Sequence, residues 1–161
     1  MSWYSRPSAW GAGGGVGALL ALAPALLAAQ QRSAGWHETA LGAVALASRP
    51  AVFALSGGAS WRDRGGTRIG FAVAAGGTGD GRFAERGELA YHFLLDAARS
   101  SGWGVYGGGG LALGIVEDDR ARPWVLAVIG AESRPGGRSG WYLEAGFGGG
   151  IRAAAGYRWR K

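Results

Sequence analysis

Histidine is the side chain around which a hydrolytic site could be built, and the chain has two. A serine nucleophile needs an imidazole base within hydrogen-bond reach and an acid that orients it. His37 precedes Glu38, and neighbours in a strand point to opposite faces, so they make a poor pair. His92 shares a face with Glu88 and Asp96, but no serine stands two residues away on that face. The sequence therefore predicts no catalytic residue and no enzymatic activity.

The other chemistry-bearing clusters also favour plain structural roles. The absence of cysteine excludes a disulfide scaffold and a thiolate metal site. The acidic run Glu117–Asp119 is more typical of a solvated loop tip than of a cation site. The glycines at 107–110 lack the following helix and Gly-Lys-Ser/Thr of a phosphate loop. The formal net charge of +6 comes from basic residues scattered singly. We expect no cofactor, no metal and no nucleic-acid partner.

The elements that would position these residues are short strands. From residue 36 onward, clusters of glycine, proline and charged residues separate eight segments of roughly ten residues each. In the third segment Ile69, Phe71 and Val73 share one face and small residues share the other. Most segments repeat this scheme, with large apolar side chains opposite glycine, alanine and scattered charges. Segments 36–48 and 123–133 are apolar on both faces, so their inward side stays unassigned.

The small-residue face determines the expected orientation of the strands. It carries too few polar groups to form the surface of a water-soluble barrel. The lumen of an eight-stranded barrel is narrow and accepts small residues with a few charges. The large apolar face would then point outward into lipid. Residues 30–161 contain no uncharged apolar run of 18 residues, so spanning helices are not predicted.

The N-terminal region has the order of a secretory signal. Arg6 is followed by an apolar run at 16–27 and by small residues at Ala28 and Ala29. We predict a signal peptide over 1–29 and a barrel domain over 30–161. A retained membrane anchor is the alternative, because the run approaches spanning length if the glycines before it are included.

A signal sequence followed by eight dyad-repeat segments resembles the small eight-stranded outer-membrane β-barrels of Gram-negative bacteria. The aromatic-rich last segment, which ends AGYRWRK, strengthens the likeness. The resemblance implies an all-β, antiparallel, up-and-down transmembrane barrel in the cell outer membrane. It also implies contact with outer-membrane lipids and with the outer-membrane insertion machinery, and we expect a monomer.

Two sets of residues are the candidate functional positions. The first would form an aromatic girdle at the membrane interfaces, and its members are Trp61, Trp103, Trp124, Trp141 and Trp159. Trp36 would join it. The second would form a charge network in the lumen, and its members are Glu88, His92, Glu144 and Arg152.

The expected pairing within the lumen depends on the last hairpin. If this hairpin turns around Gly148, Glu144 lies directly opposite Arg152 and forms a cross-strand ion pair. Asp96, Arg86 and Arg158 would lie in water at the rims of the barrel.

The predicted function is a structural, membrane-integrity or minor solute-handling role, with the lumen filled by side chains. Two alternatives remain open. One is a secreted or periplasmic soluble β-barrel that binds a small apolar ligand and keeps its aromatic face inside. The other is a barrel enzyme that modifies lipid A.

Overall fold

The computed structural model describes residues 35–117 and 119–161 and contains eight β-strands. The predicted signal peptide over 1–29 lies outside the described residues. The strands agree closely with the eight segments read from the sequence: β1 (Trp36–Ala47), β2 (Val52–Arg62), β3 (Thr67–Thr78), β4 (Phe83–Leu94), β5 (Trp103–Val116), β6 (Arg122–Ser133), β7 (Ser139–Phe147) and β8 (Ile151–Arg160). In these two ranges no helix is long and apolar enough to cross a membrane.

The strands form one closed antiparallel barrel in which each strand pairs with its sequence neighbours and β8 pairs with β1. The predicted all-β, up-and-down topology is therefore confirmed. A path that starts at Trp36 and passes from each residue to its paired partner on the next strand returns to β1 at Leu46, ten residues further along the chain. The residues on this path are Arg62, Arg68, His92, Gly108, Val128, Gly146 and Arg152. Such an offset requires the strands to tilt strongly against the barrel axis, by roughly 40°.

The barrel has two distinct ends. At the terminal end β1 begins and β8 finishes, and the backbone N–H of His37 donates to the carbonyl of Lys161 at 3.0 Å. The connections after β2, β4 and β6 lie at this same end, because consecutive strands run in opposite directions. The connections after β1, β3, β5 and β7 lie at the opposite end, which we term the distal end.

Large apolar side chains cover the outside of the barrel. Leu55 on β2 is 77% exposed and Phe93 on β4 is 59% exposed. The inward side chains are small, aromatic or charged. The two segments with unassigned faces are also resolved: Val44 on β1 and Leu126 on β6 are buried in the lumen, whereas Leu41 and Val125 point outward.

Glycines opposite the two lumen tyrosines explain part of the glycine content. Tyr106 pairs directly with Gly130, and Tyr142 pairs directly with Gly156. A Cβ atom on Gly130 would come within 2.5 Å of the Tyr106 ring, which is buried. The missing side chain at position 130 therefore provides the space in which the tyrosine ring lies.

We expect Gly130→Ala to lower the free energy of unfolding by about 1–3 kcal/mol, the usual cost of overpacking a filled interior. Urea titration of the folded barrel would measure the change. The matched control is Gly107→Ala on β5, where the nearest atom to a new Cβ lies 3.7 Å away. Equal urea midpoints for the two variants would show that the ring does not need this space.

Candidate functional site

The lumen holds a group of ion pairs on the distal side, here termed the distal cluster, formed by Arg86, Glu88, Glu144 and Arg152. Nη2 of Arg152 lies 3.0 Å from Oε2 of Glu88, and its Nη1 lies 2.8 Å from Oε2 of Glu144. Nε of Arg86 donates to Glu88 at 2.6 Å. The hydroxyl of Tyr106 donates to Glu144 at 2.7 Å. One arginine thus joins two carboxylates from different strands, and each carboxylate has a further donor.

The geometry of the Glu144–Arg152 pair corrects the prediction of direct opposition. Glu144 pairs with Ala154 along the ladder, and Arg152 pairs with Gly146. The hairpin is centred on Gly149, whose φ of +88° suits glycine, and not on Gly148. The ion pair is therefore diagonal. It forms because both side chains point into the lumen and the long arginine side chain reaches the carboxylate.

His92 lies in the lumen but apart from the ion pairs. Its ring packs edge-on against Tyr106, with centroids 5.5 Å apart. Its Nδ1 is buried and has no hydrogen-bond partner among the described residues. Of the four lumen residues expected to form a network, the structure brings Glu88, Glu144 and Arg152 together and leaves the imidazole outside. In the part of the chain that the structure describes, no serine hydroxyl hydrogen-bonds to this histidine.

A second and larger group of charges, the terminal-end cluster, closes the lumen near the chain termini. It contains two carboxylates and four guanidinium groups, all buried: Glu38, Arg62, Arg68, Glu132, Arg158 and Arg160. Glu132 receives Arg68 at 2.9 Å and Arg62 at 3.3 Å, and it also contacts Arg158. Nε of Arg160 lies 3.0 Å from Glu38. The cluster joins side chains from β1, β2, β3, β6 and β8 across the barrel axis.

Sequence reasoning did not identify this cluster as a site. The parity of β3 already places Arg68 on the same face as Gly70 and Ala72, which is the signal that could have found it. Glu132 carried no such signal, because both faces of its segment are apolar. Local alternation indicates which face a charge occupies, but it does not reveal which distant strand supplies the partner.

Two of the three charges expected at the rims lie inside the barrel. Arg86 and Arg158 are both buried, because carboxylates within the lumen supply their partners: Glu88 for Arg86, and Glu132 for Arg158. Asp96 does lie at a rim, in the connection after β4.

Little empty space remains between the two clusters. Ala90, Leu126 and Val128 form a small apolar layer in the lumen. Inward side chains, among them Arg68 and His92, line a cavity of about 80 Å³. A volume of this size holds on the order of two or three waters.

The carboxylates of the connections are held by local hydrogen bonds. The hydroxyl of Thr67 donates to Asp63 at 2.5 Å, and this bond lowers the pKa of that carboxyl. The backbone N–H of Arg120 donates to Asp119 and lowers the pKa of Asp119 in the same way. Within residues 35–117 and 119–161 the structure contains no group of three or more side chains able to hold a metal ion.

Four of the five predicted girdle tryptophans lie on the outer face, and all four are near the terminal end. They are Trp61, Trp103, Trp141 and Trp159. Trp124 differs, because β6 turns the face of Leu126 inward and Trp124 shares that face. Its indole lies against Gly149 at the distal mouth. Trp36 also leaves the girdle, since it shares the inward face of Glu38 and receives Arg62 over its ring at 4.5 Å.

The outer aromatic residues are distributed unequally between the two ends. Near the terminal end, Tyr157 packs between Trp141 and Trp159, with ring centroids 5.1 Å apart on each side. Tyr91 adds a further amphipathic ring at this level. The outward aromatic residues near the distal end are phenylalanines, among them Phe53, Phe83 and Phe147. The described barrel therefore has one tryptophan–tyrosine belt, at the end where the chain termini lie.

Comparison of the chain with known protein-family models finds no match, and a search of curated proteins finds no significantly similar sequence.

Proposed function

We propose that the protein is an integral barrel of the bacterial outer membrane, monomeric and closed to bulk solutes, with a structural or membrane-integrity role. A single observation carries the proposal. The barrel exposes its large apolar side chains on the outside and buries ten charged side chains within its lumen: Glu38, Arg62, Arg68, Arg86, Glu88, Glu132, Glu144, Arg152, Arg158 and Arg160.

A continuous apolar exterior is unfavourable in water. Soluble monomers rarely expose apolar patches larger than a few hundred Å². Here outward Leu, Phe, Val and Ile side chains on β1, β2, β4, β5, β6, β7 and β8 are exposed. A lipid bilayer removes this cost, and the closed barrel leaves no strand edge unpaired in hydrocarbon.

The length of the strands also suits a bilayer. The strands have nine to fourteen residues. About ten residues, at a rise of about 3.3 Å each and a tilt of roughly 40°, span about 25 Å along the barrel axis, which is the usual height of the apolar band. The tryptophan–tyrosine belt would lie at one boundary of that band, where amphipathic rings are favoured.

The arrangement of side chains in the lumen favours a closed barrel over an open pore. Both charge clusters cross the barrel axis. Opening a path along the axis would separate the oppositely charged groups of these buried ion pairs. A soluble carrier of apolar ligands would need large apolar side chains on the inside. In this barrel they lie outside, and the lumen cavity is lined partly by charged groups.

Insertion is tested with the full chain. We expect the folded protein in detergent to migrate differently on gels before and after boiling, and to remain with membranes after carbonate extraction. Release into the soluble fraction by osmotic shock would refute the membrane assignment.

Closure of the lumen is tested separately. Incorporated into planar bilayers, the barrel should show no stable open state on the scale of nanosiemens, because the two clusters obstruct the axis. A sustained conductance of that size would contradict the closed lumen while leaving membrane insertion intact.

A further inference from the structure

The two ends of the barrel carry different charge. Nine basic side chains lie at the terminal end: Arg62, Arg64, Arg68, Arg99, Arg134, Arg138, Arg158, Arg160 and Lys161. Four carboxylate side chains accompany them: Glu38, Asp63, Asp96 and Glu132. At the distal end the arginines are balanced by the acidic residues of the same strands and connections. The terminal end is therefore the strongly basic one.

Part of this excess surrounds a groove on the terminal surface. The groove has a volume of about 390 Å³ and lies between the start of β1, the connection after β6 and the end of β8. Trp36, Arg138, Arg160 and Lys161 line it together with two glycines, and no side-chain carboxylate does. Basic side chains therefore dominate the lining of the groove.

The cations of the groove differ in how far they are already engaged. Arg160 forms its floor and is held by Glu38 and by backbone carbonyls. Arg138 and Lys161 are exposed, and neither forms an ion pair with any residue the structure describes. Two cationic side chains thus remain available to an external anion.

The position of the groove along the barrel axis indicates which class of anion would bind there. It opens at the end where Trp61, Trp141 and Trp159 form the aromatic belt. Such belts lie at the level of lipid headgroups. A basic groove at this level lies at the height of the bilayer phosphates, and each basic side chain near an anionic surface adds to the attraction.

We propose that the groove bounded by Trp36, Arg138 and Lys161 binds the phosphate of an anionic phospholipid headgroup. The guanidinium of Arg138 can donate two parallel hydrogen bonds to phosphate oxygens, and Lys161 adds a point charge. The proposal builds on membrane insertion and adds a lipid preference and the end of the barrel that carries it.

The test uses the full chain folded in zwitterionic micelles and follows the indole N–H signal of Trp36 by NMR. Short-chain phosphatidylglycerol is titrated against phosphatidylcholine of the same chain length and against inorganic phosphate. We expect a saturable shift with phosphatidylglycerol alone. Arg138→Gln with Lys161→Gln should weaken binding about fivefold for each charge removed.

Matched variants separate this site from general charge attraction. Arg49→Gln with Arg120→Gln removes two exposed arginines at the distal end and should leave the affinity unchanged. Arg138→Lys with Lys161→Arg keeps both charges and should lose much less affinity than the pair Arg138→Gln with Lys161→Gln. If Arg49→Gln with Arg120→Gln weakens binding as much as Arg138→Gln with Lys161→Gln does, the groove is not the site.

The remaining outcomes also decide the proposal. An equal shift with phosphatidylcholine, or with inorganic phosphate at the same concentration, would overturn the preference for an anionic lipid. A barrel that inserts into membranes but is indifferent to lipid charge refutes this inference alone. A barrel that fails to insert refutes the proposed function itself.

Discussion

Replacing Glu132 with glutamine should destabilise the barrel more than any other single lumen substitution, by about 3–5 kcal/mol. The carboxylate is buried and contacts four arginines of the terminal-end cluster, which are Arg62, Arg68, Arg158 and Arg160. Glutamine keeps the shape of the side chain and removes the charge. Four guanidinium groups would then share Glu38 as their remaining carboxylate within the cluster. The midpoint of urea unfolding, followed on unboiled gels, reports the loss.

A double substitution tests whether the loss of stability comes from the changed net charge of the cluster. Glu132→Gln combined with Arg62→Gln restores the original charge difference of the cluster, so part of the lost stability should return. Asp80→Asn provides a rim control, because Asp80 pairs with Arg82 where both side chains are partly exposed. If Glu132→Gln is no more harmful than Asp80→Asn, the buried cluster does not hold the barrel closed.

Leu55→Arg is the second substitution with a large expected effect. Leu55 is 77% exposed and lies on the outer face of β2, between Phe53 and the belt residue Trp61. The separation of six residues between Leu55 and Trp61 corresponds to about 15 Å along the barrel axis, which is near the midplane of an apolar band about 25 Å high. In water, an arginine at such an exposed position would change stability by no more than about 0.5 kcal/mol. In a bilayer, an arginine near the midplane of the outer face costs about 2–4 kcal/mol. Unfolding of the barrel in lipid vesicles measures the difference.

Leu95→Arg provides a control of the same chemistry and exposure. Leu95 is 78% exposed but lies in the connection after β4, at the terminal end. Near the interface, the cost of an arginine should fall to about 0–1 kcal/mol. Equal effects of the two substitutions would mean that Leu55 does not face hydrocarbon, and the outer-membrane proposal would fail.

The prediction of the fold depended on the local alternation of large apolar and small side chains along each segment. Because side chains of a strand alternate between two faces, the sequence around Phe71 or Phe93 already separates the large apolar face from the small one. Turn-forming residues between the segments then place the eight strands within a few residues of their observed bounds. The same pattern identified Glu88, Glu144 and Arg152 as members of one face.

Partners across the barrel could not be predicted in this way. The turn is centred on Gly149, one residue later than expected, and this moved Arg152 from a position opposite Glu144 to a diagonal one. The parity of β6, ambiguous in sequence, turned Trp124 toward the distal mouth. These features depend on register, and register is determined by the closure of all eight strands together.

The sequence by itself determined the strands, their order and the two faces of most of them, because period and turn chemistry are properties of neighbouring residues. Only the tertiary structure decided that Glu38 and Glu132, from β1 and β6, share four arginines in one cluster. The physical reason is the strand tilt: closing the barrel with an offset of ten residues sets which distant side chains meet at one height.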